Sequence, residues 1–588
     1  MLGSAGNISR RESRRRSFDA VAGEPDESSR LKPLGPEDEE ALSETASQIS
    51  LYPDLISMRG LALFILTVVP CLGSLLFGMD FGLTAWLLVN IETYSDGGAK
   101  WFAIVGDSDL GRGVVGSSSP TGMAVSCLLA SYFAEKLGRK VMLMGSALCY
   151  ILGCTLTIIS GDLKWDEVTG FVLLLLGRFI YGMGNTFSLI TVPAYLSETV
   201  PSRLRGPMLS CMELFVVLGI ALGFWAGGLA PYQVERGWRY FFGIPLALAL
   251  LMGVGLFFIP RSPRWLISHG GSVQRVLAAL RFVNPDATED EAKDMIWRIR
   301  RLETGKRVDL FEEIKQGGAV NKAWKVSVLL ICMQQLCGQT ALLYYSGLLF
   351  TNTVCAMNAS WGLNLIGAVK LMGALACSFL VEEAGRRRLL ALSSAGMTVG
   401  MLLLVLDFFT GFSTSQIDKF TCVGILVVAF YFYLLSYSLG LGPVTWILLG
   451  ELFPTEVKST ASSWALLLGN MLNVVVTLSV PLLVKRMTFI GVFAIFFIIC
   501  LVCTFLMTTV IPETKGLSLE EIQIHLEDMS SRGIKNQKEG GEDSGRYSPA
   551  SSMSGTDRRS RQATGGPVGG RPLDQGRSNN QEDGRSLP

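Results

Sequence analysis

Twelve long apolar stretches run through the chain, separated by short polar segments. A helix needs roughly 20 mostly apolar residues to cross the hydrocarbon layer of a membrane, and each stretch reaches that length. The pattern predicts spans at 61–89, 113–133, 141–160, 168–196, 207–230, 239–259, 324–353, 362–381, 389–411, 420–449, 460–484 and 489–511. A charged segment separates the first six spans from the last six, so we expect an all-α membrane protein with two six-helix halves.

The polar positions predict the boundaries between the parts of the chain. They give an N-terminal tail, a first half, a helical linker, a second half and a C-terminal tail, at 1–58, 59–260, 261–322, 323–512 and 513–588. Both tails are rich in Ser, Gly, Arg and acidic residues, and we expect them to be mostly disordered. Within the linker, 289–303 alternates charged and apolar residues at helical spacing, which predicts an amphipathic helix that lies on the cytosolic face of the membrane and does not cross it.

Basic residues predict the orientation of the spans. An even number of spans places both tails on one side, and the linker carries ten Lys and Arg residues between 261 and 307. Cytoplasmic segments are enriched in such residues, so we expect the linker and both tails in the cytoplasm. No apolar leader precedes residue 61, and a cleaved secretory signal is not expected. The plasma membrane is the expected location, with an organellar membrane as the alternative.

Composition argues against an enzyme. Of the 588 residues, 49% are hydrophobic and 17% are charged, whereas about 25% charge is usual in soluble proteins. Lys plus Arg number 51 against 50 for Asp plus Glu, a balance that gives no basis for nucleic-acid binding. The chain has two histidines, and most cysteines fall in apolar runs. We therefore expect no catalytic residue, no cofactor and no metal.

The two halves contain matching motifs. EKLGRK at 135–140 recurs as EEAGRR at 382–387, and ETVPSRLR at 198–205 recurs as ELFPTEVK at 451–458. The offsets are 247 and 253 positions, and each motif follows the second or fourth span of its half. Such a parallel duplication is typical of transporters that bind substrate near the midplane, between the repeats.

An ordered set of motifs gives the chain a family resemblance. The set comprises GSLLFGMDFG (73–82), EKLGRK, GRFIYGMG (177–184), PAYLSE (193–198), RLRG (203–206), PRSPRWL (260–266), QQLCGQTALLYYS (334–346), EEAGRR, GPVTWILLGELFPTEV (442–457) and PETKG (512–516). With these motifs the chain resembles the sugar porters of the major facilitator superfamily, the glucose transporter-like family. The resemblance implies the major facilitator fold and alternating-access transport of a hexose or polyol.

The resemblance also implies a substrate site. Gln334 and Gln335 match a pair of glutamines that contacts hexose, and their amides can both donate to and accept from hydroxyls. Trp446 matches an aromatic platform, Asn470 falls near a family asparagine, and Tyr344 and Tyr345 match an extracellular gate. Interhelical hydrogen bonding is the alternative role for the asparagine.

Three positions depart from the family pattern. Thr340 replaces an asparagine, Glu213 replaces a glutamine, and Lys370 replaces a second asparagine. A lone charge inside a span is costly and is a functional candidate by default. We hypothesise that Glu213 and Lys370 pair across the cavity, each relieving the desolvation of the other. Charges in the site leave open a zwitterionic or anionic substrate in place of a neutral sugar.

Asp80 in the first span and Arg178 in the fourth are the candidates for coupling transport to a proton gradient. By resemblance, proton-coupled sugar porters carry an aspartate at position 80, with an arginine beside it. A carboxyl whose proton affinity changes as Arg178 approaches or withdraws is sufficient for coupling. We therefore expect proton symport. The alternatives are a static ion pair between two spans and uniport by facilitated diffusion.

Charged residues at the cytoplasmic span ends suggest a conformational latch. Ion pairs between Arg and carboxylate side chains there can break and re-form as the halves rock. The alternative is that these charges only determine the membrane topology and form solvated pairs that contribute little to stability. The predicted latch residues are Glu135, Arg139, Glu198, Arg205, Glu382, Arg386, Arg387 and Glu451.

Two further expectations concern the tails and one loop. Ser13 and Ser17 follow basic pairs and are candidate kinase sites, and Asn358 begins a glycosylation sequon. A nutrient sensor that signals through a tail without net transport is the rival to a carrier.

Overall fold

The computed structural model describes residues 60–93, 99–106, 108–162, 165–200, 202–229, 238–284, 287–303, 310–353, 356–411, 416–454, 457–515 and, near the end, 521, 522, 524 and 526. Regular secondary structure within these residues is helical. The helices are α1 (Gly60–Thr93), α2 (Phe102–Gly106), α3 (Asp109–Leu137), α4 (Arg139–Ser160), α5 (Glu167–Thr199), α6 (Ser202–Leu229), α7 (Trp238–Phe258), α8 (Pro263–Ser268), α9 (Val273–Val283), α10 (Glu289–Glu303), α11 (Leu310–Gln316), α12 (Gly318–Leu336), α13 (Gln339–Thr353), α14 (Ala356–Ala384), α15 (Arg386–Gly411), α16 (Gln416–Leu439), α17 (Leu441–Glu451) and α18 (Lys458–Thr509). The predicted N-terminal tail, with Ser13 and Ser17, and the tail beyond residue 526 lie outside the described residues.

The described helices account for the twelve predicted spans. Ten segments of the described chain are long and apolar enough to cross a membrane. α3 is not among them because its run GRGVVGSSSPTG is rich in Gly and Ser; it packs against α5 and α18. α18 has 52 residues, roughly 78 Å of helix, and it breaks at Thr488 (φ 60°) into two spans. Adding α3 and dividing α18 gives the predicted twelve.

Glycines set how closely neighbouring spans approach. A Cβ atom placed on Gly122 in α3 would lie 2.0 Å from the carbonyl oxygen of Phe179 in α5, and one on Gly182 would lie 2.0 Å from that of Ser119. A Cβ atom on Gly219 in α6 would lie equally close to the backbone of α1. Lipid tails are as apolar as the helices, so association in a bilayer depends on such close packing of small residues.

The two halves pack together at one end of the bundle. A Cβ atom on Gly113 would lie 2.8 Å from the carbonyl oxygen of Leu478 in the second half. Beside this contact, Lys485 Nζ lies 2.8 Å from Asp109 Oδ2, an ion pair that joins the halves. We refer to the region around Asp109, Gly113, Leu478 and Lys485 as the closed end.

The linker forms a small helical cluster of its own. α10 has the bounds predicted for the amphipathic helix, and its apolar residues Ala292 and Ile296 are buried against α8 and α9. Trp265 of α8 lies against the turn between α3 and α4, where Gly138 has φ +88° and a Cβ atom would lie 2.8 Å from the indole ring. The linker therefore contacts the end of the second span.

The glycine contacts generate a stability prediction. Gly182→Ala places a methyl group against the backbone of α3, and overpacking of this kind costs about 1–3 kcal/mol. Gly145→Ala is the matched control, since no atom lies within 4 Å of its Cβ position. In thermal unfolding of the purified protein in detergent, we expect Gly182→Ala to melt at a lower temperature and Gly145→Ala to melt no lower than the parent. Equal melting temperatures for the two variants would contradict the packing account.

Candidate functional site: a central cavity beside a buried ion pair

A cavity lies between the two halves. The empty space within it, counted together with the part open to solvent, is about 890 Å³. Its wall combines apolar side chains with amides, hydroxyls and charges. Eight of the nine residues predicted to contact substrate line it: Glu213, Gln334, Gln335, Thr340, Tyr344, Lys370, Trp446 and Asn470.

A break in span seven brings several polar groups to this wall. α12 ends at Leu336 and α13 begins at Gln339, with Cys337 and Gly338 between them. Gly338 has φ +80°, a conformation that favours glycine, and a Cβ atom there would lie 2.5 Å from the ring of Phe496. The break therefore depends on glycine, and it allows both helix ends to present polar side chains to the cavity.

The glutamine pair keeps two carbonyl groups available. Gln334 Nε2 donates to the carbonyl oxygens of Gly442 (3.2 Å) and Leu441 (3.4 Å), where span ten is also broken. The side-chain oxygens of Gln334 and Gln335 are buried and have no hydrogen-bond partner among the described residues. Buried acceptors are costly when unpaired, so these oxygens suit a ligand that brings hydrogen-bond donors.

Trp446 and Asn470 lie where the halves meet. Trp446 packs against two clusters of buried apolar residues, and each cluster contains residues of both halves. Asn470 Nδ2 in α18 lies 3.3 Å from the sulfur of Cys127 in α3 and donates to it. The amide of Asn470 therefore has an interhelical partner, as the alternative interpretation of this residue anticipated, and the residue also lines the cavity.

Glu213 and Lys370 face the same cavity from opposite halves, as predicted, but they form no ion pair within 4.0 Å. The ammonium of Lys370 lies 4.9 Å from the centre of the Tyr437 ring. Lys370 is 3% exposed, whereas Glu213 is partly exposed. Direct pairing of the two charges therefore remains a hypothesis for another state of the protein.

Helix register explains the separation of these two charges. Ala221 of α6 meets Gly367 of α14, since a Cβ atom on Gly367 would lie 2.2 Å from Ala221 Cα. Trp225, one turn farther along α6, donates to a carbonyl one turn earlier in α14 (2.9 Å), so the helices are antiparallel. Extending this register places Glu213 about five residues, roughly 7 Å, beyond the level of Lys370.

Asp80 and Arg178 form a buried ion pair next to the cavity. Each is 1% exposed, and Arg178 Nη1 donates to Asp80 Oδ1 while Nη2 donates to the hydroxyl of Thr84. The other carboxylate oxygen of Asp80 accepts from Ser119 Oγ (2.6 Å) and Asn185 Nδ2 (3.3 Å). Donors from α3 and α5 thus surround this carboxylate of α1.

The two predicted gate tyrosines have different positions. The hydroxyl of Tyr344 donates to Asp80 Oδ2 (3.5 Å), and its ring stacks on Phe81 at 5.3 Å between centroids. Tyr345 donates to the carbonyl of Thr477 (3.0 Å) and lines a separate apolar pocket, so it is the one predicted residue that the central cavity does not reach. Tyr344 connects the second half to the buried ion pair.

The first predicted latch pair is formed and has a third member. Arg139 Nη2 lies 2.8 Å from Glu198 Oε1. Ser262, which follows the sixth span, donates its hydroxyl to the other oxygen of Glu198. The three residues come from the turn after span two, the end of span four and the segment after span six. The cluster lies within the first half.

The second half repeats this cluster. Arg386 Nη2 lies 3.0 Å from Glu451 Oε1, and Thr514 donates to Glu451 Oε2 (2.8 Å). Arg386 also pairs with Glu382 (3.0 Å), whose side chain is 72% exposed. This cluster too lies within one half, so the pairs join span ends within each half, and their role as a latch stays a prediction.

Three of the predicted latch residues are not part of either Arg–Glu cluster as the structure describes it. The backbone N–H of Arg387 donates to Glu513 (3.2 Å), and its guanidinium donates to the carbonyl of Thr508. The side chains of Glu135 and Arg205 lie outside the described part of the chain, as does that of Asn358.

Sequence reasoning missed several polar residues at the site. Gln339 and Tyr437 line the cavity, while Ser119 and Asn185 bond to Asp80. Polarity inside an apolar span is the signal that identified Asp80, and it could also have identified Ser119 and Asn185. Tyr437 carries no such signal, because its role depends on the neighbouring position of Lys370.

Comparison with known proteins identifies the family. The sequence model described as "Sugar (and other) transporter" matches residues 66–526. "D-xylose-proton symporter-like 2" of Arabidopsis thaliana is 31% identical over 471 residues, which cover 77% of this chain and 89% of the relative. The glucose transporter GlcP of Staphylococcus epidermidis is 28% identical over 476 residues, 79% of this chain and 97% of GlcP. A solved structure of the xylose transporter XylE from E. coli, in a partially occluded inward-open conformation, has the same fold, with a TM-score of 0.63 at 22% identity over 77% of this chain and 99% of XylE. The chain is a multi-pass membrane protein that belongs to the sugar transporter family.

Proposed function

We propose that this protein is an alternating-access transporter that moves a monosaccharide across a membrane together with a proton. One observation carries the proposal: Tyr344 lines the central cavity and also bonds to the buried carboxylate of Asp80. The names of the relatives agree with it, since they include a D-xylose-proton symporter-like protein and an arabinose-proton symporter.

The cavity suits a polyhydroxylated substrate. The unpaired side-chain oxygens of Gln334 and Gln335 can accept hydrogen bonds from sugar hydroxyls. Trp446 offers an aromatic surface to the apolar face of a sugar ring. Because these groups belong to the second half and Glu213 belongs to the first, a substrate between them contacts both halves and can stabilise their approach.

The buried ion pair supplies a mechanism of coupling. Protonation of Asp80 removes its charge and leaves Arg178 buried without its counter-ion, and breaking a buried pair in this way costs about 3–5 kcal/mol. The surroundings of Arg178 must then change, and Tyr344 transmits that change to the cavity wall. One proton moving down 100 mV supplies about 2.3 kcal/mol, enough for a sugar gradient of about 50-fold.

The proposed orientation follows the basic residues. The linker and both Arg–Glu clusters lie in the cytoplasm, and the closed end faces the opposite side. The plasma membrane is the proposed location. In this orientation the Arg–Glu clusters brace the cytoplasmic span ends that rearrange when the cavity opens to the cytoplasm.

Replacement of Asp80 tests the coupling. In proteoliposomes, we expect Asp80→Asn to retain exchange of sugar across the membrane but to lose accumulation driven by a pH gradient, because the asparagine cannot bind the proton. Ser119→Ala is the matched control, since it removes one hydrogen bond to Asp80 and keeps the carboxylate. We expect this control to accumulate sugar even where its rate falls.

The readout for this test is uptake over a panel of hexoses, pentoses, polyols and sugar acids, with and without a pH gradient. Accumulation by Asp80→Asn that equals the parent would overturn the coupling role. Downhill uptake that ignores the pH gradient in the parent would establish uniport, and binding without any uptake would establish a sensor.

The Arg–Glu clusters give a second prediction. Glu451→Gln removes the carboxylate with which Arg386 pairs, and Glu451 is distant from Arg386 along the chain. Hydrogen bonds to charged groups of this kind contribute about 1.5–3 kcal/mol. Glu382→Gln is the control, because that carboxylate is largely exposed and such pairs contribute about 0–1 kcal/mol. We expect Glu451→Gln to lower the melting temperature and the uptake rate more than Glu382→Gln does. Equal effects of the two changes would argue against a structural role for the cluster.

A further inference from the structure

Lys370 is a buried cation that forms no ion pair with any described residue. Its side chain is 3% exposed and lines the cavity. Among the described residues, no hydrogen-bond acceptor and no carboxylate within 4.0 Å meets its ammonium; the contact it makes is with the face of the Tyr437 ring, at 4.9 Å. A cation–π contact offsets only part of the cost of removing an ammonium from water. The cavity therefore contains an ammonium that an anionic ligand would stabilise.

Glu213 does not supply that anion in this structure. It lies on α6, in the opposite half, and the register of α6 against α14 places it roughly 7 Å beyond the level of Lys370. The two charges interact across the cavity without direct contact. The ammonium of Lys370 lines the cavity without an ion pair to Glu213, so a ligand group in the cavity can approach it.

The position of Lys370 relative to the glutamines defines what kind of molecule fits. Its ammonium lies on the ring of Tyr437, and a Cβ atom on Gly442 would lie 2.9 Å from that same ring. Gln334 in turn donates to the carbonyl of Gly442. The ammonium and the Gln334 amide therefore lie near the same broken segment of span ten, and Gln335 lines the same cavity. A single small molecule can meet the ammonium and the glutamine oxygens with different groups.

We propose that the substrate is a sugar acid, a monosaccharide that carries a carboxylate. The carboxylate binds the ammonium of Lys370, and hydroxyls at the other positions donate to the side-chain oxygens of Gln334 and Gln335. This assignment rests on the proposed function, since it names the substrate class of the same cavity.

The charge balance of the site agrees with an anionic substrate. The charged groups at or beside the cavity are Asp80 and Glu213, which are acidic, and Arg178 and Lys370, which are basic; Tyr344 and Tyr437 are the phenols that face them. These charges sum to zero. When a proton binds at Asp80, the site carries one positive charge, and a carboxylate restores neutrality. With a sugar acid the loaded site is electroneutral, so accumulation of this substrate draws on the pH gradient, whereas a neutral sugar moved with a proton also draws on the membrane potential.

Competition between matched sugars tests the proposal. The full chain in proteoliposomes, at a pH where the acids are ionised, is given D-glucose against D-glucuronate and D-galactose against D-galacturonate. We expect the acid to bind about tenfold more tightly than its parent sugar in at least one pair, the effect of one charge-assisted hydrogen bond. Lys370→Asn should lose affinity for that acid about tenfold more than for the parent sugar, whereas Lys370→Arg keeps the preference.

Glu213→Gln separates this account from direct pairing of the two charges. If Lys370 serves the substrate, Glu213→Gln keeps the preference for the acid and does not restore it in the double variant with Lys370→Asn. If both parent sugars outcompete their acids in the unaltered protein, or if Lys370→Asn weakens acid and parent equally, the sugar-acid assignment is wrong. Proton-driven uptake of a neutral sugar in that case leaves the proposed function standing, whereas absence of uptake of every sugar and acid removes both.

Discussion

The buried ion pair of Asp80 and Arg178 constrains much of the first half. Two ions out of contact with water are stable only when their remaining hydrogen-bonding groups are satisfied. Here the carboxylate is on α1 and accepts from Ser119 of α3 and from Arg178 and Asn185 of α5, so these three spans must lie close together. The glycine contacts provide this proximity: Gly182 packs directly on the backbone of Ser119, whose hydroxyl bonds to Asp80. Backbone packing and electrostatics thus depend on the same positions.

The ion pair meets the second half through a broken helix. Tyr344 on α13 bonds to Asp80, while Gln334 and Gln335 lie at the end of α12, across the break at Gly338. A movement of span seven therefore changes the surroundings of the carboxylate and the shape of the cavity together. Protonation of Asp80 changes the charge beside the Tyr344 hydroxyl, and the proposed substrate contacts the same span. Under that proposal the proton and the substrate influence each other's binding without touching.

The sequence was sufficient to predict the spans, the repeat and most of the cavity. Apolar length identifies spans, and scarcity of charge within them makes Asp80, Arg178, Glu213 and Lys370 conspicuous. The resemblance supplied Gln334 and Trp446. Features that depend on how two helices pack against each other could not be predicted from the sequence alone.

Particular residues illustrate that limit. Glu213 and Lys370 share a cavity, but the register of α6 against α14 determines that they do not touch. Ser262 and Thr514 complete the Arg–Glu clusters from segments after the sixth and twelfth spans. Both residues lie in motifs that carry the family resemblance, PRSPRWL and PETKG, but the motifs do not show which carboxylate each residue meets. Tyr345 adjoins Tyr344, yet successive residues of a helix point in different directions, so only Tyr344 reaches the cavity.

The central claim is that substrate binding and proton binding at Asp80 are linked. The most direct measurement is the number of protons that the purified protein takes up when substrate binds, obtained by calorimetry in buffers of different ionisation enthalpy. The account predicts uptake of up to one proton per substrate in the parent, in the pH range where Asp80 begins unprotonated, and none in the Asp80→Asn variant. No proton uptake at any pH in the parent, or undiminished uptake in the variant, would contradict it.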